Sequence, residues 1–169
     1  MLRLFFEKEK KVVSRSPRSP QIMTAREPTM LGKIVESFVK KAVGHYHLAI
    51  ASGAFRGEIK FALDKGGLRS AFPVIVSAQD VRQGKPHPES YLTALLKLNA
   101  LIRPDSPIEP SECVVIEDSL HGMQSARAAG MKCLAVTSAY PRHLLPKQAD
   151  RIVDSLTEIE PKELEALCT

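Results

Sequence analysis

Cys113-Val114-Val115-Ile116-Glu117-Asp118-Ser119 is the stretch from which the fold is read. Four apolar residues, too few for a helix of their own, run directly into two acids and a serine. This is the signature of a strand buried on both faces that ends in a polar turn. Downstream, residues 120–129 fit a helix with small Ala126, Ala128 and Ala129, stopped by Gly130. Cys133–Val136 is a second apolar strand and Arg151–Val153 a short last one, and Pro161 opens a terminal helix. Upstream the same cycle is legible. Thr29 caps a helix whose apolar residues Leu31, Ile34, Val35, Phe38, Val39, Ala42 and Val43 recur at three- and four-residue steps up to Gly44. His47–Ala51 is a strand, residues 55–64 a helix closed by Gly66-Gly67, Pro73–Ser77 a strand, and Pro88 to about Leu98 a helix. Buried strands alternating with helices predict a doubly wound α/β fold on a parallel sheet.

The composition excludes several functions. With 169 residues, 44% hydrophobic and 25% charged, the chain suits one domain with a real core. It contains no apolar run of about eighteen residues, so no membrane partner is expected. There is no tryptophan, and aromatics make up 5%, which argues against a base-stacking surface. The formal charge of +5 sits mostly in the first 20 residues, where Arg3, Lys8, Lys10, Lys11, Arg15 and Arg18 face only Glu7 and Glu9. The body is close to neutral, so no nucleic-acid surface is expected. The chain therefore divides into a basic head, residues 1–28, and an α/β core, residues 29–169. Three cysteines, with Cys113 and Cys133 inside apolar strands, fit a reducing, cytoplasmic setting.

In such sheets ligands gather at the carboxyl ends of the strands. Three polar sites fall there. Ser52, with the N–H groups of Gly53 and Ala54, stands between a strand and a helix and suits a phosphate; a plain helix cap has the same pattern. Lys85, in Gly84-Lys85-Pro86-His87-Pro88, is held in an extended helix entry and suits an anionic ligand as a point charge; a merely solvated lysine is the alternative. Glu117 and Asp118 repel each other and call for a cation such as magnesium; the alternative is a helix cap beside an acid at the helix dipole.

Together these segments resemble the haloacid dehalogenase superfamily, in its β-phosphoglucomutase and phosphoglycolate-phosphatase-like branch. Leu48-Ala49-Ile50-Ala51-Ser52-Gly53-Ala54 looks like its second motif, Gly84-Lys85-Pro86-His87-Pro88-Glu89 followed by Tyr91 like its third, and Val115-Ile116-Glu117-Asp118-Ser119 with Gly122, Ala126, Ala129 and Gly130-Met131 like its fourth. The resemblance implies that Ser52, Gly53, Ala54 and Lys85 bind phosphate, that Lys85 is catalytic in steadying the phosphoryl group, and that Glu117 and Asp118 hold magnesium. It implies a phosphohydrolase or phosphomutase core acting on small phosphorylated metabolites.

The family's reaction begins at an Asp-x-Asp pair at the end of its first strand, where one aspartate attacks phosphorus. The aspartates here are Asp64, Asp80, Asp105, Asp118, Asp150 and Asp154; no two are separated by one residue, and none precedes Ser52. The expectation is a chain without turnover of its own, lacking the first strand and most of the helical cap domain. Phe5–Lys11 would then be a remnant of a cap helix. The alternative is a non-catalytic fragment or pseudoenzyme that binds phosphate, magnesium or a partner strand. In the family the first strand lies mid-sheet, between the strands ending at Ser52 and Asp118. Three outcomes are open: those strands close up, another chain supplies the missing one (a separate N-terminal fragment or a second copy pairing through strand edges), or the fragment folds poorly. Leu2–Phe6 is long enough to fill the gap but brings no aspartate.

Overall fold

The computed structural model describes residues 3–6, 30–103, 105–145 and 149–168. It contains a six-stranded sheet in the order β3-β2-β1-β4-β5-β6, every neighbouring pair parallel. The strands are β1 (Arg3–Phe6), β2 (His47–Ala51), β3 (Val74–Val76), β4 (Cys113–Glu117), β5 (Lys132–Val136) and β6 (Arg151–Val153). The helices are α1 (Met30–Ala42), α2 (Arg56–Lys65), α3 (Glu89–Ile102) and α4 (Leu120–Ala128). This is the doubly wound α/β fold expected from the strand runs. No helix among the described residues is long and apolar enough to cross a membrane.

The central position of the sheet is filled by the chain itself. Arg3–Phe6 pairs on one side with His47–Ile50 and on the other with Cys113–Ile116. Of the possibilities left open, it is Arg3–Phe6, within the Leu2–Phe6 stretch, that fills the gap, so the expectation of a lacking first strand is corrected to that extent, and so is the cap-helix reading of Phe5 and Phe6, which lie in a strand. Glu7–Lys11 and the rest of the head up to residue 29 lie outside the described residues. The physical reason is backbone pairing. An unpaired buried N–H or C=O costs about 1–3 kcal/mol, and a four-residue strand satisfies a row of them on both neighbours.

Alternation along each strand sends side chains to two cores. Leu48, Ile50, Val114, Ile116 and Leu134 pack on one face with Phe38 and Val39 of α1 and Ile59 and Leu63 of α2. Ala49, Ala51, Cys113, Val115 and Ala135 pack on the other with Tyr91, Leu95 and Leu98 of α3 and Met123 and Ala126 of α4. The second face is built largely of small strand residues, against which α3 and α4 pack. Two helical readings change at their ends. α3 runs to Ile102 because the Asn99 amide bonds both backbone groups of Ile108, and it stops at Arg103 in a left-handed turn (φ 44°). The terminal helix opened by Pro161 is a 3₁₀ helix, Pro161–Leu167.

Candidate functional site

Ser52 follows the last residue of β2. Its N–H donates to the Val76 carbonyl (2.9 Å), which ties the loop to β3, and its hydroxyl accepts the Ala54 N–H (3.1 Å). Ser52 is buried, whereas Gly53 is exposed. In this conformation the Ala54 N–H is turned onto Ser52 rather than outward. The loop is then fixed to α2: the Phe55 N–H donates to Glu58 Oε2 (2.8 Å), and the Ala54 carbonyl accepts from Ala78 N (3.1 Å).

A second tie lies just outside. Asp80 receives Arg56 Nη2 on both oxygens (2.5 and 2.6 Å) and the Ser77 N–H and hydroxyl on Oδ2 (2.8 and 2.5 Å). Burial raises the carboxyl pKa, but the Ser77 hydrogen bonds and the Arg56 charge outweigh it and hold Asp80 well below the usual carboxylate range. A carboxyl whose folded pKa is depressed stabilises the fold above its unfolded value, about 3.9, and that contribution is lost as pH falls. Acidification from pH 6 through pH 4 to pH 2 is therefore expected to lower the melting midpoint of the wild type more steeply than that of Asp80→Asn. Parallel curves in thermal melts would show that the tie contributes nothing.

Lys85 is not a solvated lysine. Its side chain is 9% exposed, and Nζ donates to the Ala51 carbonyl (3.1 Å), the Tyr91 hydroxyl (2.8 Å) and Glu117 Oε1 (2.7 Å), with the Tyr91 ring centroid 4.5 Å away. The ammonium thus links the carboxyl ends of β2 and β4, the two strands that flank β1. The loop that delivers it is closed by Glu89, whose carboxylate accepts the N–H groups of Arg82 and Gln83 (both 2.9 Å). Those two hydrogen bonds hold the Glu89 carboxyl below its ordinary pKa. His87 and His121 are exposed, and His87 Nδ1 accepts the Glu89 N–H at 3.3 Å.

Glu117 is fully buried at its side chain. Oε1 takes Lys85 and the Tyr91 hydroxyl (2.5 Å); Oε2 takes the N–H groups of Asp118 (3.2 Å) and Ser119 (3.1 Å) and the Ser119 hydroxyl (2.9 Å). Ser119 caps α4 by accepting the Gly122 N–H (3.0 Å). Asp118 is part-exposed and accepts the Ser138 hydroxyl at 3.2 Å. The cation that Glu117 meets among the described residues is the Lys85 ammonium, while Asp118 takes the Ser138 hydroxyl. Among the described residues no group of three His, Cys, Asp or Glu side chains converges on a metal position. Magnesium prefers six oxygen ligands and keeps several waters; this donor set does not by itself form a site for it.

Sequence reasoning missed two groups. Tyr91 enters the sequence reading only as a residue of the helix from Pro88 and of the third-motif segment; its ring is core, and its hydroxyl lies between Lys85 and Glu117. Glu89 was read only as part of a motif. Its signal was local: an acid in the first turn of a helix, following a loop rich in N–H groups.

A family model described as haloacid dehalogenase-like hydrolase matches residues 17–136. A bifunctional riboflavin kinase/FMN phosphatase of Arabidopsis thaliana is 34% identical over 113 residues, covering 66% of this chain and 28% of that protein. A validoxylamine A 7'-phosphate phosphatase of Streptomyces hygroscopicus subsp. limoneus is 33% identical over 112 residues, covering 66% and 48%. The solved structure of CbbY from Rhodobacter sphaeroides in complex with phosphate matches with a TM-score of 0.64 at 29% identity, over 74% of this chain and 54% of that one. The chain thus spans about half of the length of the last two and less of the first.

Proposed function

The chain belongs to the haloacid dehalogenase-like hydrolases, and from that premise we propose that it is a phosphate-binding core of that family with no turnover of its own. Lys85 carries the reading: a nearly buried ammonium, held by Glu117 at the carboxyl ends of β2 and β4. Ser52 and Gly53 stand at the end of β2, one and two residues beyond the carbonyl that Lys85 reaches. A phosphoryl group of a small metabolite would meet the ammonium, the Ser52 hydroxyl and the Gly53 backbone there, where positive charge and donors suit a dianion. Asp118 is the acid at the rim. In this family an aspartate of an Asp-x-Asp pair attacks phosphorus, and these 169 residues contain no such pair.

Calorimetric titration with inorganic phosphate, run beside a p-nitrophenyl phosphate assay in magnesium, tests this. Phosphate is expected to bind the wild type at least tenfold more tightly than Lys85→Ala, with no hydrolysis above background. Turnover that disappears in Asp118→Ala would overturn the inactive reading; equal phosphate binding by Lys85→Ala would overturn the site. Magnesium alone, at millimolar concentration, is expected to leave the melting midpoint unchanged, because a ligand stabilises the folded state only where its concentration is comparable to or above its dissociation constant. A clear rise would show a cation site that the donor set does not reveal.

A further inference from the structure

We propose that Tyr91 is a positioning residue that aims the Lys85 ammonium and decides which of its protons a phosphate can take. The ligand in this proposal rests on the phosphate-binding reading above; the positioning itself stands on the chain alone. An ammonium has three protons, and among the described residues the acceptors at Lys85 Nζ include the Ala51 carbonyl at 3.1 Å, the Tyr91 hydroxyl at 2.8 Å and Glu117 Oε1 at 2.7 Å. An oxyanion taken up by Lys85 must compete with acceptors such as these.

Glu117 is charged and carries the shortest of the three bonds. Tyr91 accepts from Lys85 while donating to the same Glu117 oxygen at 2.5 Å, so it bonds both halves of the ion pair at once. The Ala51 carbonyl is neutral and gives the longest bond, so it is the one to yield. Ala51 directly precedes Ser52. Release of that carbonyl turns the ammonium toward the strand end where Ser52 and Gly53 stand, while the bonds to Tyr91 and Glu117 are kept. Without the Tyr91 hydroxyl, Lys85 loses the acceptor that it shares with Glu117, and its direction is less constrained.

Tyr91→Phe isolates the hydroxyl, because it keeps the ring that fills the core and faces the ammonium. Leu98→Val, at a fully buried position on the same helix, is the packing control. Two measurements on the full chain separate the possibilities. The first is trace acetylation by acetic anhydride, read by peptide mass spectrometry as the labelling of Lys85 relative to exposed Lys60. The second is calorimetry with inorganic phosphate.

In Tyr91→Phe, Lys85 labelling is expected to rise about tenfold and phosphate affinity to fall about tenfold, the effect of one hydrogen bond to a charged group. Leu98→Val is expected to change neither, although it melts earlier. Unchanged Lys85 labelling in Tyr91→Phe overturns the positioning role, as would equal changes in Leu98→Val. Raised labelling with no phosphate uptake by the wild type would uphold the positioning role and remove the phosphate reading instead.

Discussion

Lys85→Met is expected to destabilise the chain by about 3–5 kcal/mol, far more than the loss of an ordinary lysine. Methionine keeps the length of the stem and its apolar packing, so what is removed is the charge. Glu117 then remains with its side chain fully buried and its carboxylate facing Tyr91 and the N–H groups of Asp118 and Ser119, without the ammonium at 2.7 Å. Hydrogen bonds from neutral donors offset only part of the cost of a desolvated charge. Domains of this size hold about 5–15 kcal/mol in total and lose roughly 2–4 °C of melting midpoint per kcal/mol, so a fall of about 10 °C is expected. Adding Glu117→Gln should recover part of it. The amide keeps one oxygen as acceptor for the N–H groups of Asp118 and Ser119, its NH2 can donate to the Tyr91 hydroxyl oxygen, and the orphaned charge is gone, so the double variant is expected to be more stable than Lys85→Met. A double-mutant cycle by urea unfolding measures this, with a coupling of about 2–3 kcal/mol expected between the two positions. Additive effects would mean that the 2.7 Å contact does not act as an ion pair.

That pair also shows how far the sequence could be read. The strands were legible almost to the residue, because a run such as Val114-Val115-Ile116 permits few other structures. β1 was not, since Leu4-Phe5-Phe6 is a three-residue run followed at once by an acid. Its strand character comes from β2 and β4, whose backbones need a partner more than 40 and more than 100 residues away. The electrostatics were legible in kind: Glu117-Asp118 required a positive charge. That the charge at Glu117 is the ammonium of Lys85, 32 residues earlier, is a fact of tertiary packing with no periodicity to announce it. The same holds for Tyr91, because nothing in a helical pattern distinguishes a phenol whose hydroxyl lies in the core from a phenylalanine.

Gly122→Ala should damage this network from the other side. A Cβ at Gly122 would fall 1.9 Å from Glu117 Oε1 and 2.2 Å from Oε2, distances that no rotamer adjustment of the alanine can relieve. A flexible carboxylate at the surface would swing away at little cost. Glu117 cannot do so without leaving Lys85, Tyr91 and Ser119 together, and α4 cannot retreat without breaking the cap in which the Gly122 N–H meets the Ser119 hydroxyl. Overpacking of this kind costs about 1–3 kcal/mol, and the displaced hydrogen bonds add to it. The melting midpoint and phosphate affinity should fall together. Gly57→Ala is the matched control. It makes the same chemical change near the start of α2, where the added Cβ meets nothing within 4 Å, and it is expected to be neutral or to stabilise by about 0.4–1 kcal/mol. Because Gly122→Ala and Lys85→Met remove the same contact, their combination should cost clearly less than the sum of the two. Full additivity would separate Gly122 from the Lys85–Glu117 pair and reduce its glycine to a matter of helix packing alone.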